Sequence, residues 1–184
     1  MDNGASSYRR FLSGENEGMA ELIRDYKDGI ILYINSFVNN ICIAEEFMEE
    51  TFVEIVTKKP KFSGRSTFKT WLYAIARHIS YDCLKRSSRG QTIPIDELYD
   101  ISDEEDIERE YIRQEDRITL HRALKRLNPD YSQVLYLTYF EDFDNSETAE
   151  IMKKSKRQIE NLLYRAKGAL KSELEKEGFE YEGL

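Results

Sequence analysis

The chain has 184 residues, of which 34% are charged and 40% hydrophobic, with only three prolines and nine glycines. This composition favours a helical protein with modest cores, and the length allows one medium domain or two small ones. No apolar run approaches the length of a membrane span, and the formal net charge of −8 argues at first against a nucleic-acid partner.

The distribution of the charges changes that first conclusion. The acidic and basic residues between positions 58 and 89 are all basic apart from Asp82, whereas those between 96 and 116 are mostly acidic. Between 153 and 171 they are basic again apart from Glu160. Two basic segments separated by an acidic one predict two modules that face nucleic acid and a linker that faces something else.

Three amphipathic helices are predicted in the N-terminal half, over residues 17–38, over 43–58 and from a Ser66 cap to about residue 86. Residues 1–14 carry few core-forming side chains, and no helix is assigned there. The second helix has an apolar stripe and an acidic opposite face. The stripe consists of Phe47, Met48, Phe52, Ile55 and Val56. In the third helix, the side chains expected to face inward are Phe68, Leu72, Ile75, Ile79 and Cys83.

The outward side of the third helix mixes cations with aromatic rings, and a basic loop at residues 61–65 precedes it. The outward residues are Lys69, Tyr73, Arg77, His78 and Tyr81. Such interleaving is typical of single-stranded DNA binding, in which each stacked base contributes about 1–3 kcal/mol. The alternative is that Trp71 and Tyr73 complete the core while the cations are merely solvated.

Residues 88–116 break the helical periodicity with turn formers, a proline and dense acidic charge, which predicts a flexible linker. A second helical domain begins near Ile118, where Asn128 and Pro129 end one helix and Asp130 is expected to cap the next. The acidic tail after Leu174 is expected to fray.

Residues 145–170 predict a helix-turn-helix. Asp144 with Glu147 can cap its first helix, and Ser155 with Gln158 forms a capping box for its second. The second helix has an apolar stripe formed by Ile159, Leu163, Ala166 and Leu170. Its opposite face suits phosphates and base edges and consists of Lys156, Arg157, Gln158, Glu160, Asn161, Tyr164, Arg165 and Lys167. A surface hairpin with solvated charges is the alternative.

These segments resemble the bacterial RNA polymerase sigma factors of the extracytoplasmic-function (ECF) group of the sigma-70 family. AEEFMEETFVEIV (44–56) is similar to region 2.2, and FSGRSTFKTWLYAIARHISYDCLKR (62–86) is similar to regions 2.3 and 2.4. Residues 123–170 are similar to region 4, and the two halves occur in the family's order.

The resemblance implies an all-α fold of two small helical domains joined by a flexible acidic linker. Residues 1–88 correspond to region 2, which binds core polymerase and recognises and melts the −10 element, and residues 89–116 to the linker. Residues 117–176 correspond to region 4, the helix-turn-helix that reads the −35 element, and 177–184 form a tail.

The resemblance also implies roles for named residues. Docking on core RNA polymerase is expected to use Glu45, Glu46, Glu49 and Glu50, with Phe52 in the core. The single-stranded −10 element is expected to contact Lys61, Phe62, Ser63, Gly64, Arg65, Lys69, Tyr73, Arg77 and His78. The −35 duplex is expected to contact the outer face of the second helix of the helix-turn-helix, from Lys156 to Lys167. An anti-sigma factor is a further expected partner.

Five positions depart from the family's pattern, and one of them is Leu162, which stands in the second helix where basic residues are frequent. Lys153 and Lys154 stand where a glycine and an apolar residue are frequent, which predicts a looser turn. Glu160 lies on a helix face that is more often basic, and it is either an acceptor for a cytosine amino group or a brake on non-specific affinity. His78 stands where the family usually has asparagine.

Other classes of function are less well supported by the residues. The alternative function is a stand-alone helix-turn-helix regulator that binds duplex DNA without polymerase. An enzyme is not expected, because Cys83 belongs to the apolar stripe beside His78 and Asp82 and no phosphate-binding loop is evident. Neither a metal nor a cofactor is expected, since His78 and His121 lack further ligands at metal spacing. The N-terminus has no apolar signal segment, and Cys42 and Cys83 both lie in apolar helical patterns that suggest reduced thiols, so a cytoplasmic protein is expected.

Overall fold

The structure, a computed structural model, describes residues 3–87 and 122–176, and throughout these ranges the regular structure is helical. The helices that lie wholly within these ranges are α1 (Asn3–Leu12), α2 (Asn16–Val38), α3 (Ile41–Lys58), α4 (Phe68–Ser87), α5 (Pro129–Tyr139), α6 (Asn145–Met152) and α7 (Lys156–Lys176), and residues 122–125 are helical as well. The all-α prediction is confirmed. The predicted linker (89–116) and tail (177–184) lie outside the described residues.

Helix α1 is an element that the sequence pattern does not predict, because few of its side chains are strongly apolar. Tyr8 and Phe11 are nonetheless buried. The Tyr8 ring lies 5.5 Å from that of Phe68 and 5.3 Å from that of Trp71, and its hydroxyl donates to the Pro60 carbonyl at 2.7 Å. Helix α1 therefore completes the core of the N-terminal half.

Two helix starts differ from the predicted ones. Helix α4 begins after Thr67, whose Oγ1 accepts from the Thr70 amide at 3.1 Å, so Ser66 is not its cap. Helix α5 is capped by Asn128, whose side chain accepts from the Asp130 amide at 2.9 Å, and not by Asp130. Proline at the first helical position explains this shift, because proline needs no amide partner there.

The two halves of the chain share one continuous core. Tyr33 of α2 lies 5.5 Å from Tyr73 of α4 and 6.1 Å from Tyr136 of α5, measured between ring centroids. Helix α2 is therefore in contact with both α4 and α5. As predicted, Phe68 and Leu72 are fully buried, whereas Ile75 and Ile79 are only half-buried. Tyr73, Ala76 and Ser80 are buried in addition.

Helices α1 and α2 cross with their backbones almost in contact at Gly18. A Cβ atom at this position would lie 2.3 Å from the carbonyl oxygen of Ser7 and 2.8 Å from the amide nitrogen of Phe11. Backbone atoms cannot swing away as a flexible side chain can, so only glycine fits this crossing.

A pair of glycine substitutions tests this crossing. We expect Gly18→Ala to lower the free energy of unfolding by about 1–3 kcal/mol, because of overpacking. In contrast, Gly168→Ala on α7 should raise it by about 1 kcal/mol through helix propensity, since a Cβ there meets no atom within 4 Å. Denaturant unfolding followed by circular dichroism measures both values. A Gly18→Ala protein as stable as the parent would contradict the close crossing.

Candidate nucleic-acid and polymerase interfaces

Local hydrogen bonds fix both helices of the predicted helix-turn-helix. Asp144 Oδ1 accepts from the amides of Ser146 and Glu147 at 2.6 and 2.9 Å, and Glu147 Oε2 accepts from the Asp144 amide at 3.1 Å. These backbone donors lower the pKa of Asp144 below its ordinary value. The Ser155 amide donates to Gln158 Oε1 at 2.7 Å, and the Gln158 amide donates to Ser155 Oγ at 3.3 Å. Both predicted capping boxes are confirmed.

The turn between α6 and α7 closes without a glycine. Lys153 adopts the left-handed conformation (φ 52°), and its amide donates to the carbonyls of Ala149 and Glu150. Lys154 is anchored by an ion pair of 3.1 Å with Asp130. The prediction of a looser turn is therefore wrong, because Lys153 takes the conformation that glycine usually supplies at a helix end.

The outer side of α7 is open to solvent, and its inner side is packed. Ile159 and Ala166 are completely buried, while Leu163 and Leu170 are half-buried, as the apolar stripe predicts. The exposed residues are Lys156, Arg157, Gln158, Glu160, Asn161, Tyr164, Arg165 and Lys167, all of those predicted for duplex contact. The Tyr164 side chain is unusually exposed for an aromatic residue, at 83%.

The loop before α4 is largely exposed, as predicted for a strand-binding segment. Lys61, Ser63, Gly64 and Arg65 are exposed. Phe62 is half-buried, with its ring 5.6 Å from that of Phe68 and 5.4 Å from that of Trp71. Gly64 adopts φ 70°, so the glycine shapes this loop.

Three of the strand-binding candidates on α4 are covered by the C-terminal half. Tyr73 is only 1% exposed. Its burial, and to a smaller extent the adjacent Glu141 carboxylate, raise the pKa of the Tyr73 hydroxyl well above its ordinary value. Lys69 Nζ lies 2.9 Å from Glu141 Oε2, and Arg77 Nε donates to Gln133 Oε1 at 2.9 Å. The prediction that Tyr73 projects outward is wrong in this arrangement, because helical periodicity carries no information about a covering segment almost seventy residues later.

His78 and Trp71 occupy different environments from Tyr73. His78 is exposed, and its Nε2 lies 3.6 Å from Asp82 Oδ2. Trp71 is half-buried among the rings of Tyr8, Phe62 and Phe68. The alternative that an α4 aromatic completes the core is therefore confirmed for Tyr73 and partly for Trp71.

Gln133 connects the two halves of the chain, although the sequence pattern alone does not predict a functional role for it. Its Oε1 accepts from Tyr33 OH at 3.2 Å as well as from Arg77, and its Nε2 donates to Tyr81 OH at 2.6 Å. The sequence feature that could have indicated this role is that Gln133 directly precedes the apolar run 134–137. A polar side chain that is fully buried needs such partners.

The acidic face of α3 contains two exposed apolar side chains, one of which the sequence pattern predicts to be buried. Glu46, Glu49 and Glu50 are exposed, Glu45 is half-buried, and Phe52 is in the core as predicted. Val53 and Val56 are 59% and 41% exposed, so the placement of Val56 in the buried stripe is wrong. An acidic rim around exposed valines has the composition of a protein-docking surface.

Within residues 3–87 and 122–176, no group of three or more His, Cys, Asp or Glu side chains is arranged to hold a metal ion. In those ranges no helix is both long and apolar enough to cross a membrane.

Comparisons with known proteins agree with this arrangement. The "Sigma-70 region 2" family matches residues 22–90, and "Sigma-70, region 4" matches residues 117–170. The RNA polymerase sigma factor YlaC of Bacillus subtilis is 27% identical over 162 residues, which cover 87% of this chain and 94% of that protein. The ECF RNA polymerase sigma factor BldN of Streptomyces coelicolor is 29% identical over 160 residues, which cover 85% of this chain and 60% of that protein.

Solved structures of low sequence identity share the fold. CnrH, solved in complex with the cytosolic domain of CnrY, gives a TM-score of 0.65 at 17% identity, covering 94% of this chain and 95% of CnrH. RpoE of Bartonella quintana, solved with the anti-sigma factor NepR, gives 0.63 at 19% identity, covering 90% of this chain and 98% of RpoE. Since the two family matches lie in order on the two packed halves, the chain belongs to the sigma-70 family of RNA polymerase sigma factors, in the extracytoplasmic-function group.

Proposed function

We propose that this sigma factor uses three separate surfaces to direct core RNA polymerase to promoters and to open them. The acidic face of α3 docks on the polymerase, the outer side of α7 reads the −35 duplex, and the loop 61–65 with α4 holds the −10 strand. The observation that carries this proposal is the outer side of α7. Eight polar, mostly basic or aromatic residues are exposed together there, on a helix fixed by a capped turn.

The charge of each surface supports its proposed partner. Exposed carboxylates on α3 suit a basic polymerase surface, which favours association and correct orientation. Cations on α7 and in the loop 61–65 suit DNA phosphates. Glu160 is the exception on α7, and we assign it to a cytosine amino group, for which carboxylates are suitable acceptors.

The partners and location follow from this function. Core RNA polymerase and promoter DNA place the protein in the cytoplasm. The structure of RpoE contains an anti-sigma factor, and we propose a partner of the same class for this chain. The stand-alone regulator is the weaker alternative, because such a regulator would not need a region 2 domain.

Run-off transcription with purified core polymerase on a promoter library tests the function directly. We expect initiation at a defined subset of promoters only when this chain is added, since core polymerase alone lacks promoter specificity. Tight duplex binding by the chain without any promoter-dependent initiation would instead support the stand-alone regulator.

The proposed −35 surface is tested by arginine replacements on α7. Arg157→Ala and Arg165→Ala should each weaken binding to a selected −35 duplex by about 1–3 kcal/mol, while binding to core polymerase stays unchanged. Lys171→Ala is the matched control, because Lys171 is exposed on the same helix but lies 3.9 Å from Glu175 beyond this surface. Equal losses in the arginine variants and the control would contradict the assignment.

The proposed docking surface is tested by reversing one charge on α3. Glu49→Lys should lower affinity for core polymerase by about tenfold or more, since it places a like charge against a basic partner. Glu175→Lys on α7 is the control, because it reverses the same charge away from α3. Both variants should change −35 duplex binding to the same extent. Polymerase binding is measured by fluorescence anisotropy. An unchanged affinity would place the docking surface elsewhere.

A further inference from the structure

The loop 61–65, which we assign to the −10 strand and call the strand-binding loop, leaves α3 through Lys59 and Pro60. Helix α1 holds this exit point. The Tyr8 hydroxyl donates to the Pro60 carbonyl at 2.7 Å, across 52 positions of the chain. Lys59 adopts the left-handed conformation (φ 44°), and its Nζ lies 5.3 Å from the centroid of the Phe11 ring. Helix α1 therefore contacts both residues that set the direction in which the loop begins.

The Tyr8 ring packs against the same two side chains as the strand-binding loop does. Its centroid lies 5.5 Å from that of Phe68 and 5.3 Å from that of Trp71. The ring of Phe62, in the loop, lies 5.6 Å from Phe68 and 5.4 Å from Trp71. Tyr8 and Phe62 therefore belong to one aromatic cluster at the start of α4. The Tyr8 hydroxyl adds a polar link from this cluster to the backbone of the chain that enters the loop.

Helix α1 is firmly attached to its neighbours, so the Tyr8 hydroxyl is a fixed point. Ser7 Oγ donates to Glu21 Oε2 of α2 at 2.7 Å. A Cβ atom at Gly4, one turn before Tyr8, would lie 2.5 Å from Phe68 Cδ1, so the helix backbone lies directly on that ring. Because Tyr8 is only 1% exposed, its hydroxyl is withdrawn from water, and the Pro60 carbonyl supplies the partner that a buried hydroxyl needs.

The tip of the strand-binding loop is open to solvent. Lys61, Ser63, Gly64 and Arg65 are exposed, and a Cβ atom at Gly64 would meet no atom within 4 Å. A loop whose ends are fixed binds a ligand more tightly, because less conformational entropy is lost when the ligand orders it. The position of the backbone at Pro60 therefore affects how the exposed tip meets a strand.

We propose that Tyr8 is a positioning residue for the strand-binding loop. Its hydroxyl fixes the backbone at Pro60, so that the loop presents one conformation to an unstacked base of the −10 strand. Tyr8 acts through the loop, since its own side chain is buried. Helix α1 precedes the region 2 match at residues 22–90, so the family comparison does not assign this role. The inference rests on the strand-binding role proposed for the loop 61–65.

Tyr8→Phe tests the hydroxyl while retaining the ring. The net contribution of such a hydrogen bond corresponds to about a two- to tenfold change in an equilibrium constant, so we expect strand affinity to fall by about that factor. The probe is a fluorescein-labelled single-stranded DNA with the −10 region of a promoter selected by run-off transcription. Anisotropy is measured with the full chain bound to core polymerase. Affinities for core polymerase and for the −35 duplex should not change.

Trp71, the single tryptophan of the chain, reports on the loop without DNA or polymerase. It is half-buried, and the Phe62 ring is one of its neighbours. If the loop is less firmly held, Phe62 leaves the Trp71 ring more often and the indole becomes more accessible. We therefore expect acrylamide to quench Trp71 fluorescence more strongly in Tyr8→Phe than in the parent chain.

Ser7→Ala and Tyr139→Phe are the matched controls. Ser7→Ala removes one hydroxyl from the same helix with a hydrogen bond of the same length, but its partner Glu21 lies on α2 and not at the loop. Tyr139→Phe makes the same chemical change on α5, where the ring is 52% exposed. We expect both controls to leave strand affinity and Trp71 quenching unchanged.

Unchanged strand affinity or unchanged quenching in Tyr8→Phe would overturn the proposal. An equal loss of strand affinity in Ser7→Ala would also overturn it, because α1 would then act only through the stability of the fold. In each of these cases the proposed function stands if the parent chain supports run-off transcription. A parent chain that supports none would overturn the proposed function, and this inference with it.

Discussion

The contact between α4 and residues 140–150 is the interaction on which the arrangement of the two halves depends. It buries Tyr73, which is 1% exposed, and partly covers Lys69, whose side chain stays 33% exposed. Burying such groups is costly unless each polar atom is paired, and here Lys69 is paired with Glu141 and Arg77 with Gln133. Because these pairs join helix α4 to the C-terminal half, they help to hold the two halves in this arrangement.

Each half has internal packing that does not depend on this contact. In the N-terminal half, α1 crosses α2 at Gly18, and the rings of Tyr8, Phe68 and Trp71 lie within 5.5 Å of one another. In the C-terminal half, the capping boxes and the buried Ile159 hold α6 and α7. The contact between the halves combines buried rings, such as Tyr73 and Phe143, with hydrogen bonds and an ion pair.

Segregation of charge explains how an acidic chain is suited to DNA. The net charge of −8 is an average over surfaces of opposite sign. Carboxylates are concentrated on α3, where a protein partner is proposed, and in residues 141–150, where several of them contact α4. Cations are concentrated on the outer side of α7 and in the loop 61–65. Short-range contacts with phosphates depend on these local charges, because salt screens more distant ones within about 10 Å.

The sequence by itself determined the helices with strong periodicity, both capping boxes of the helix-turn-helix and the exposed side of α7. Each of these depends on interactions between residues within a few positions of one another, so a local pattern is sufficient. It did not determine that α1 is a helix, that Val56 is exposed or that Lys153 closes the turn. Only the tertiary structure decided that Tyr73 is interior and that Gln133 joins the halves. Those outcomes depend on which distant helix packs against a given helix face. Contacts between residues far apart in the chain stabilise that packing, and a local sequence pattern does not contain them.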